Sequence, residues 1–132
     1  MLNSINCGGS DLLRVRLGTS SGVITGSGSG NTAGSYESKS VKSGLNGSHS
    51  TTGFRITTIS GAVSGHMIIT KFDDSDYIQS HTAGSMESGG LYAYHGSGQL
   101  TGVNAPITQI QLDFDGGANF TNGSKINVLY EG

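Results

Sequence analysis

The residues that could do chemistry are scattered along this chain. The four histidines, His49, His66, His81 and His95, lack the close pairing, such as His-x-His, that zinc ligands often show. His66 and His95 fall on predicted strands and could meet across a sheet, but nothing in the sequence places them together. We therefore expect surface or packing histidines, and we predict no cofactor.

Two short acidic segments have the alternating carboxylates that calcium favours. They are Asp73-Asp74-Ser75-Asp76 and Asp113-Phe114-Asp115-Gly116. Neither continues into the later ligands and terminal Glu of an EF-hand loop, and Asp and Gly are also common turn formers. We interpret both segments as solvated turns, with Asp73 and Asp76 as weak calcium candidates.

The serines, glycines and carboxylates form no recognisable catalytic or nucleotide-binding motif. Gly26-Ser27-Gly28-Ser29-Gly30 has no predicted helix after it, unlike a nucleophile elbow, and it lacks the Lys of a phosphate loop. Glu37 and Glu87 could serve as the paired carboxylates of a glycosidase by spacing alone, but both fall in polar segments without the aromatic residues that usually line sugar clefts. Seven basic residues on a chain of net charge −2 make no nucleic-acid footprint. We predict a protein that is not an enzyme and binds no nucleic acid.

Composition favours strands over helices. The 132 residues include 23 Gly and many Ser, Thr and Asn, which compete with the helical backbone for hydrogen bonds. Short alternating or β-branched segments separated by Gly-rich turns predict about eight strands, the clearest at residues 11–17, 54–59, 66–72, 90–95, 107–114 and 125–130. The predicted fold is all-β, an antiparallel β-sandwich and more specifically a jelly roll.

The chain length suits one domain. We interpret residues 1–10 as a short polar N-terminal arm and residues 11–132 as a single sandwich domain. The first residues hold no basic and apolar segments typical of a secretion signal, and no run is long enough to span a membrane. Cys7, the one cysteine, cannot form an internal disulfide, and we expect it to be unpaired.

The C-terminal part of the chain resembles small virion proteins of tailed phages. The resemblance rests on Ile107-Thr108-Gln109-Ile110-Gln111-Leu112, then on Phe120-Thr121-Asn122-Gly123-Ser124 and a last segment ending in Leu129-Tyr130. Thr52-Gly53-Phe54-Arg55-Ile56 and Ser64-Gly65-His66-Met67-Ile68-Ile69 are also similar to those proteins. Residues 107–130 are predicted to form a hairpin whose Phe120 closes one end of the sandwich.

This resemblance implies a role in a virus particle. The family contains capsid decoration (cement) proteins and head-fibre or tail components, commonly with jelly-roll cores. It implies a protein made in the host cytoplasm that binds the outer capsid surface, bridges subunits of the major capsid protein and self-associates as a dimer or trimer. We place the capsid or subunit contacts in the unmatched N-terminal third, at Leu2, Ile5, Cys7, Arg14 and Arg16.

An alternative is a carbohydrate-binding appendage of the particle, such as a receptor-binding module or a lectin. Tyr92 and Tyr94 are the candidate glycan contacts under this reading, because tyrosine combines an apolar ring with a polar tip. The chain has five Tyr and no Trp, so the stacking platform would be small.

Overall fold

A computed structural model of the chain describes residues 1–43, 47–71 and 77–131. Within these ranges the protein is almost entirely β, as predicted, with one short 3-10 turn at Gly30–Thr32. The strands in chain order are β1 (Leu2–Ile5), β2 (Asp11–Thr19), β3 (Gly22–Val23), β4 (Ser35–Lys42), β5 (Ser48–Ser50), β6 (Phe54–Ile59), β7 (Ala62–Lys71), β8 (Ile78–Glu87), β9 (Leu91–Thr101), β10 (Gln109–Phe114) and β11 (Lys125–Ile126). None of the described segments forms a helix long and apolar enough to cross a membrane.

The strands form two antiparallel sheets packed against each other, so the predicted sandwich is confirmed. The large sheet has the order β11-β1-β7-β8-β9-β4-β5. The small sheet has the order β10-β2-β3, with β6 also paired to β2. The finer prediction of a jelly roll remains a prediction.

The core forms where the inward side chains of the two sheets meet. Leu13, Val15 and Leu17 alternate along β2 and are all buried, because successive strand side chains point to opposite faces. Tyr36 of the large sheet packs edge-on against Phe54 of β6, with ring centroids 5.1 Å apart. The Tyr36 hydroxyl accepts a hydrogen bond from the backbone N–H of Leu17 at 2.7 Å, which ties the two sheets together.

Two strands are longer than their sequence predicts. Residues 61–65 were expected to form a turn, but β7 begins at Ala62 and pairs with β8 over ten residue pairs. The strand predicted at residues 90–95 continues to Thr101 as β9. Both extensions run through small residues, which give little apolar pattern but allow close packing between layers.

The N-terminal residues form part of the sandwich. Strand β1 pairs with β7 on one side and with β11 on the other, so it is an interior strand of the large sheet. Leu2 and Ile5 are buried in the core. The interpretation of residues 1–10 as a separate polar arm is therefore corrected: the two apolar side chains on this short strand are sufficient to fix it in the sheet.

The predicted C-terminal hairpin is wrong. Strand β10 pairs with β2 in the small sheet, whereas β11 pairs with β1 in the large sheet. The chain crosses between the sheets through a turn in which Gly117 and Gly123 have positive φ, the backbone region that glycine favours. Phe120 packs against Phe114 at 4.8 Å between ring centroids, although it remains partly exposed.

Candidate functional site

The outer face of the large sheet carries the polar side chains that point away from the core. On β4, exposed Glu37 and Lys39 alternate with buried Tyr36, Ser38 and Ser40. All four histidines of the chain are exposed on the strands of this sheet.

The histidines are spread across the sheet. His66 and His95 both pair with Ala83, one from each side, so two strand spacings separate them, about 10 Å. His81 lies two residues before Ala83 on the central strand. Among the described residues no group of three or more His, Cys, Asp or Glu is placed to hold a metal ion. Pairing across the sheet therefore aligns these histidines without clustering them.

A shallow groove of about 440 Å³ lies on this outer face, across β8, β9, β4 and β5. We call it the outer-face groove. Its lining is polar and is drawn from the four strands and from the residue before β8: Glu37, Ser38, Lys39, His49, Tyr77, Gln79, His81, Ser97, Gly98 and Gln99. Three strand spacings separate β8 from β5, so the groove spans about 14 Å across the sheet.

A chain of hydrogen bonds holds four of these side chains in fixed positions. Gln79 donates its Nε2–H to the Tyr77 hydroxyl at 3.1 Å, and that hydroxyl donates to Gln99 Oε1 at 2.8 Å. Gln99 Nε2 in turn donates to Glu37 Oε2 at 3.1 Å. Gln79, Gln99 and Glu37 come from adjacent strands in one cross-strand row, since Gln99 pairs with both of the others.

The outer-face groove therefore presents ordered donors and acceptors. An amide has two N–H donors and an oxygen that accepts two bonds, and a carboxylate has two acceptor oxygens, so Gln79, Gln99 and Glu37 have more donor and acceptor positions than the network uses. The carboxylate of Glu37 and the ammonium of Lys39 balance each other in formal charge. Such a surface is suited to a neutral ligand rich in hydroxyl groups.

The second candidate surface is the C-terminal segment, residues 126–131. It begins in β11 at the edge of the large sheet, where Asn127 exchanges backbone hydrogen bonds with Met1, and it then leaves the sheet. Its apolar side chains are exposed: Val128 by 68%, Leu129 by 84% and Tyr130 by 86%. Contiguous exposed apolar side chains commonly mark interaction surfaces.

Arg14 and Arg16, predicted as contact residues, form ion pairs within the protein. Arg14 is buried and donates from Nε to Asp113 at 2.9 Å and from its terminal nitrogen to Asp115, while Arg16 pairs with the other oxygen of Asp113. The reason is register, because Arg14 lies directly opposite Asp113 on β10. Their role as capsid or subunit contacts stays a prediction, and the carboxylates of Asp113 and Asp115 are committed to them.

Replacing Arg14 with Met is expected to lower the free energy of unfolding by about 3 kcal/mol, because Asp115 loses its ion-pair partner and Asp113, whose side chain is 19% exposed, is left with Arg16 alone. The triple variant Arg14→Met, Arg16→Met and Asp113→Leu is expected to regain most of that loss, since the one charge left without a partner is Asp115, whose side chain is 46% exposed. Urea denaturation of the single and triple variants measures both values. An equal loss in the two variants would contradict the ion-pair explanation.

The turn after β10 is fixed by Asp11 at the start of β2. Burial alone would raise the pKa of the Asp11 carboxyl, but hydrogen bonds from the backbone N–H groups of Gly116, Ala118 and Leu12 outweigh it and lower the pKa. The carboxylate thus acts as a structural acceptor, joining the start of β2 to the turn after its partner strand.

The remaining predicted site residues lie mostly away from the surface. Leu2, Ile5 and Cys7 belong to the core, with Cys7 unpaired and its thiol donating to the Gly9 carbonyl at 3.2 Å. Of the glycan-contact candidates, Tyr94 is buried, whereas Tyr92 is half-buried under the Lys42 ammonium at 4.8 Å from the ring centroid. The calcium candidates Asp73 and Asp76 lie outside the described residues.

Sequence reasoning missed the outer-face groove, although its signal is present. On β8 and β9 the pairs Gln79 and His81, and Ser97 and Gln99, have the period of two that places both members on one face of a strand. The inward residues between them are small or polar, which hides the alternation. No protein-family model, curated protein or solved structure matches this chain.

Proposed function

We propose that the protein is a structural subunit of a tailed-phage particle, a capsid decoration protein that binds the outer surface of the shell. The single observation that carries the proposal is the exposed apolar C-terminal segment on a well-packed sandwich. Three large side chains exposed in succession are unfavourable in water. Attachment to a neighbouring protein would bury them. The similarity of residues 107–130 to virion proteins supports the same role.

The binding surface in this proposal is the C-terminal segment, in place of the N-terminal residues. A segment that follows an edge strand is suited to β-augmentation, in which its backbone adds to a partner's sheet and alternate side chains fill pockets. The partner is the major capsid protein of the same particle. Each attachment can be modest in strength, because many copies on one shell bind in concert and contact each other as dimers or trimers.

The test is co-sedimentation with shells assembled from the major capsid protein encoded in the same genome. The variant Leu129→Ser is expected to bind at least tenfold more weakly, because burial of a leucine side chain is worth about 1.5–3 kcal/mol and about 1.4 kcal/mol corresponds to tenfold in affinity. A chain ending at Asn127 keeps the pairing of β11 with β1 and is expected to lose shell binding while its melting temperature is retained.

The matched control is Leu91→Ser. Leu91 is 79% exposed, nearly as much as Leu129, but it lies at the start of β9, well separated from β11 in the large sheet. This variant is expected to bind shells like the parent protein. Equal loss in the two variants, or no shell binding by the parent protein, would contradict the proposal.

A further inference from the structure

We propose that the outer-face groove is a carbohydrate-binding site that takes a neutral oligosaccharide. This goes beyond the proposed attachment to a shell and uses a different part of the molecule. The observation behind it is the hydrogen-bonded row of Glu37, Gln99 and Gln79, with the Tyr77 hydroxyl between the two amides.

Sugar hydroxyls each donate one hydrogen bond and accept others, so a sugar site needs donors and acceptors side by side. The groove has them in one row. Because the side chains already bond to one another, they are held in place before a ligand arrives, which reduces the entropy lost on binding. Sites built to hydrogen-bond a hydroxyl also discriminate strongly against analogues that lack it, because their polar groups are then left unpaired.

The floor of the groove allows a sugar ring to approach the sheet closely. It is formed by Ser97, whose side chain is short, and by the backbone of Gly98 on β9. Lys39 and Glu37 leave the site without net formal charge, which favours a neutral sugar over a phosphate or a polyanion. The groove also differs from the site suggested by Tyr92 and Tyr94, which belong to the inner side of the sheet, where Tyr94 is buried.

The C-terminal segment follows one edge strand of the large sheet, and the groove extends from the central strand to the opposite edge. Three strand spacings, about 14 Å, separate β11 from β8, the nearest strand of the groove, and six, about 29 Å, separate it from β5. A copy attached through the C-terminal segment would therefore leave the groove open to solvent. Sugar binding does not depend on that attachment, so the two proposals can fail separately.

The test begins with the labelled full-length protein on a printed array of neutral and acidic oligosaccharides. The neutral oligosaccharide with the strongest signal is then titrated into nitrogen-15-labelled protein and followed by nuclear magnetic resonance. The side-chain amide resonances of Gln79 and Gln99 are expected to shift, whereas those of Gln109 on the small sheet are expected to stay in place.

Alanine variants distinguish a groove that binds sugar from a sheet face that is only covered by solvent. Gln99→Ala, which removes the central link of the row, is expected to weaken binding at least tenfold without changing shell binding. Gln109→Ala is the matched control and is expected to bind as the parent protein does. The proposal is overturned if no neutral oligosaccharide binds, if the shifts lie outside the groove, or if Gln99→Ala binds normally.

Discussion

Deleting residues 1–7 is expected to unfold the protein. The deletion removes β1 from the interior of the large sheet, so β7 and β11 lose their shared partner. It also removes three buried side chains, Leu2, Ile5 and Cys7. At roughly 1.5–3 kcal/mol for each large apolar side chain, the lost burial alone approaches the 5–15 kcal/mol that stabilises a typical domain. Circular dichroism and thermal denaturation of the truncated chain would show the loss.

Point variants on the same strand give the matched comparison. Ile5→Ala is expected to cost about 2–5 kcal/mol, because it leaves a cavity at a fully buried position. Asn3→Ala, at an exposed position of the same strand, is expected to change stability by about 0.5 kcal/mol or less. A chain lacking residues 1–7 that melted within a few degrees of the parent protein would show that this segment is a detachable arm after all.

The sequence was most informative where apolar side chains alternate. Leu13, Val15 and Leu17 identify β2 and its buried face directly, and Phe54 and Ile56 do the same for β6. The same pattern predicts an all-β sandwich, because helices would need a different period. The alternating pattern does not show which strands pair with each other. Strand β10 follows β9 in the chain, yet its partner is β2, about a hundred residues earlier.

The strands that sequence reasoning shortened are those that carry glycine on the inner side of the large sheet. A side chain at Gly65 of β7 would place its Cβ 2.5 Å from the Tyr94 hydroxyl, and one at Gly98 of β9 would place it 3.0 Å from the Phe54 ring. Glycine here makes room for a large aromatic group from another strand. Glycine in a single sequence usually indicates a turn. The local pattern therefore does not show that these glycines are needed inside strands, where they leave space for an aromatic side chain.

One of these strands, β9, lies in the middle of the outer-face groove, so its predicted end at residue 95 left out Ser97 and Gln99 of the candidate site. The side chains of Glu37, Gln79 and Gln99 become neighbours only when β4, β8 and β9 pair in the observed register. In the sequence they are separated by long intervals and by small residues. The resemblance to virion proteins drew attention to the C-terminal segment in the sequence. Its exposure, however, depends on the chain leaving the sheet after Asn127.

The protein is expected to lose stability steeply in alkali, through two tyrosines. Burial raises the pKa of Tyr36 to about 12 and the pKa of Tyr94 to about 12, against an ordinary value of 10.0. Both side chains are almost fully buried, and both keep their hydroxyl protons in the core: Tyr36 donates to the Leu17 carbonyl and Tyr94 to the Ser64 carbonyl.

The sign follows from proton binding in the two states. Between pH 10 and pH 12 the folded protein keeps both protons while the unfolded chain releases them, so the free energy of unfolding falls as the pH rises. The stabilising contribution of the two buried hydroxyl groups is fully present below pH 10. It is lost once the pH exceeds the pKa of the two tyrosines in the folded protein. Two pKa units correspond to about 2–3 kcal/mol for each tyrosine, or roughly 5 kcal/mol for the pair.

Urea denaturation at a series of alkaline pH values measures this slope. Tyr94→Phe removes one ionisable hydroxyl while keeping the ring, and it is expected to reduce the alkaline loss by about half. The part of the tyrosinate absorbance that Tyr94→Phe removes should rise together with unfolding rather than before it, since ionisation of this buried ring requires the core to open. A slope that is the same in the parent protein and in Tyr94→Phe would mean that groups other than the buried tyrosines limit stability in alkali.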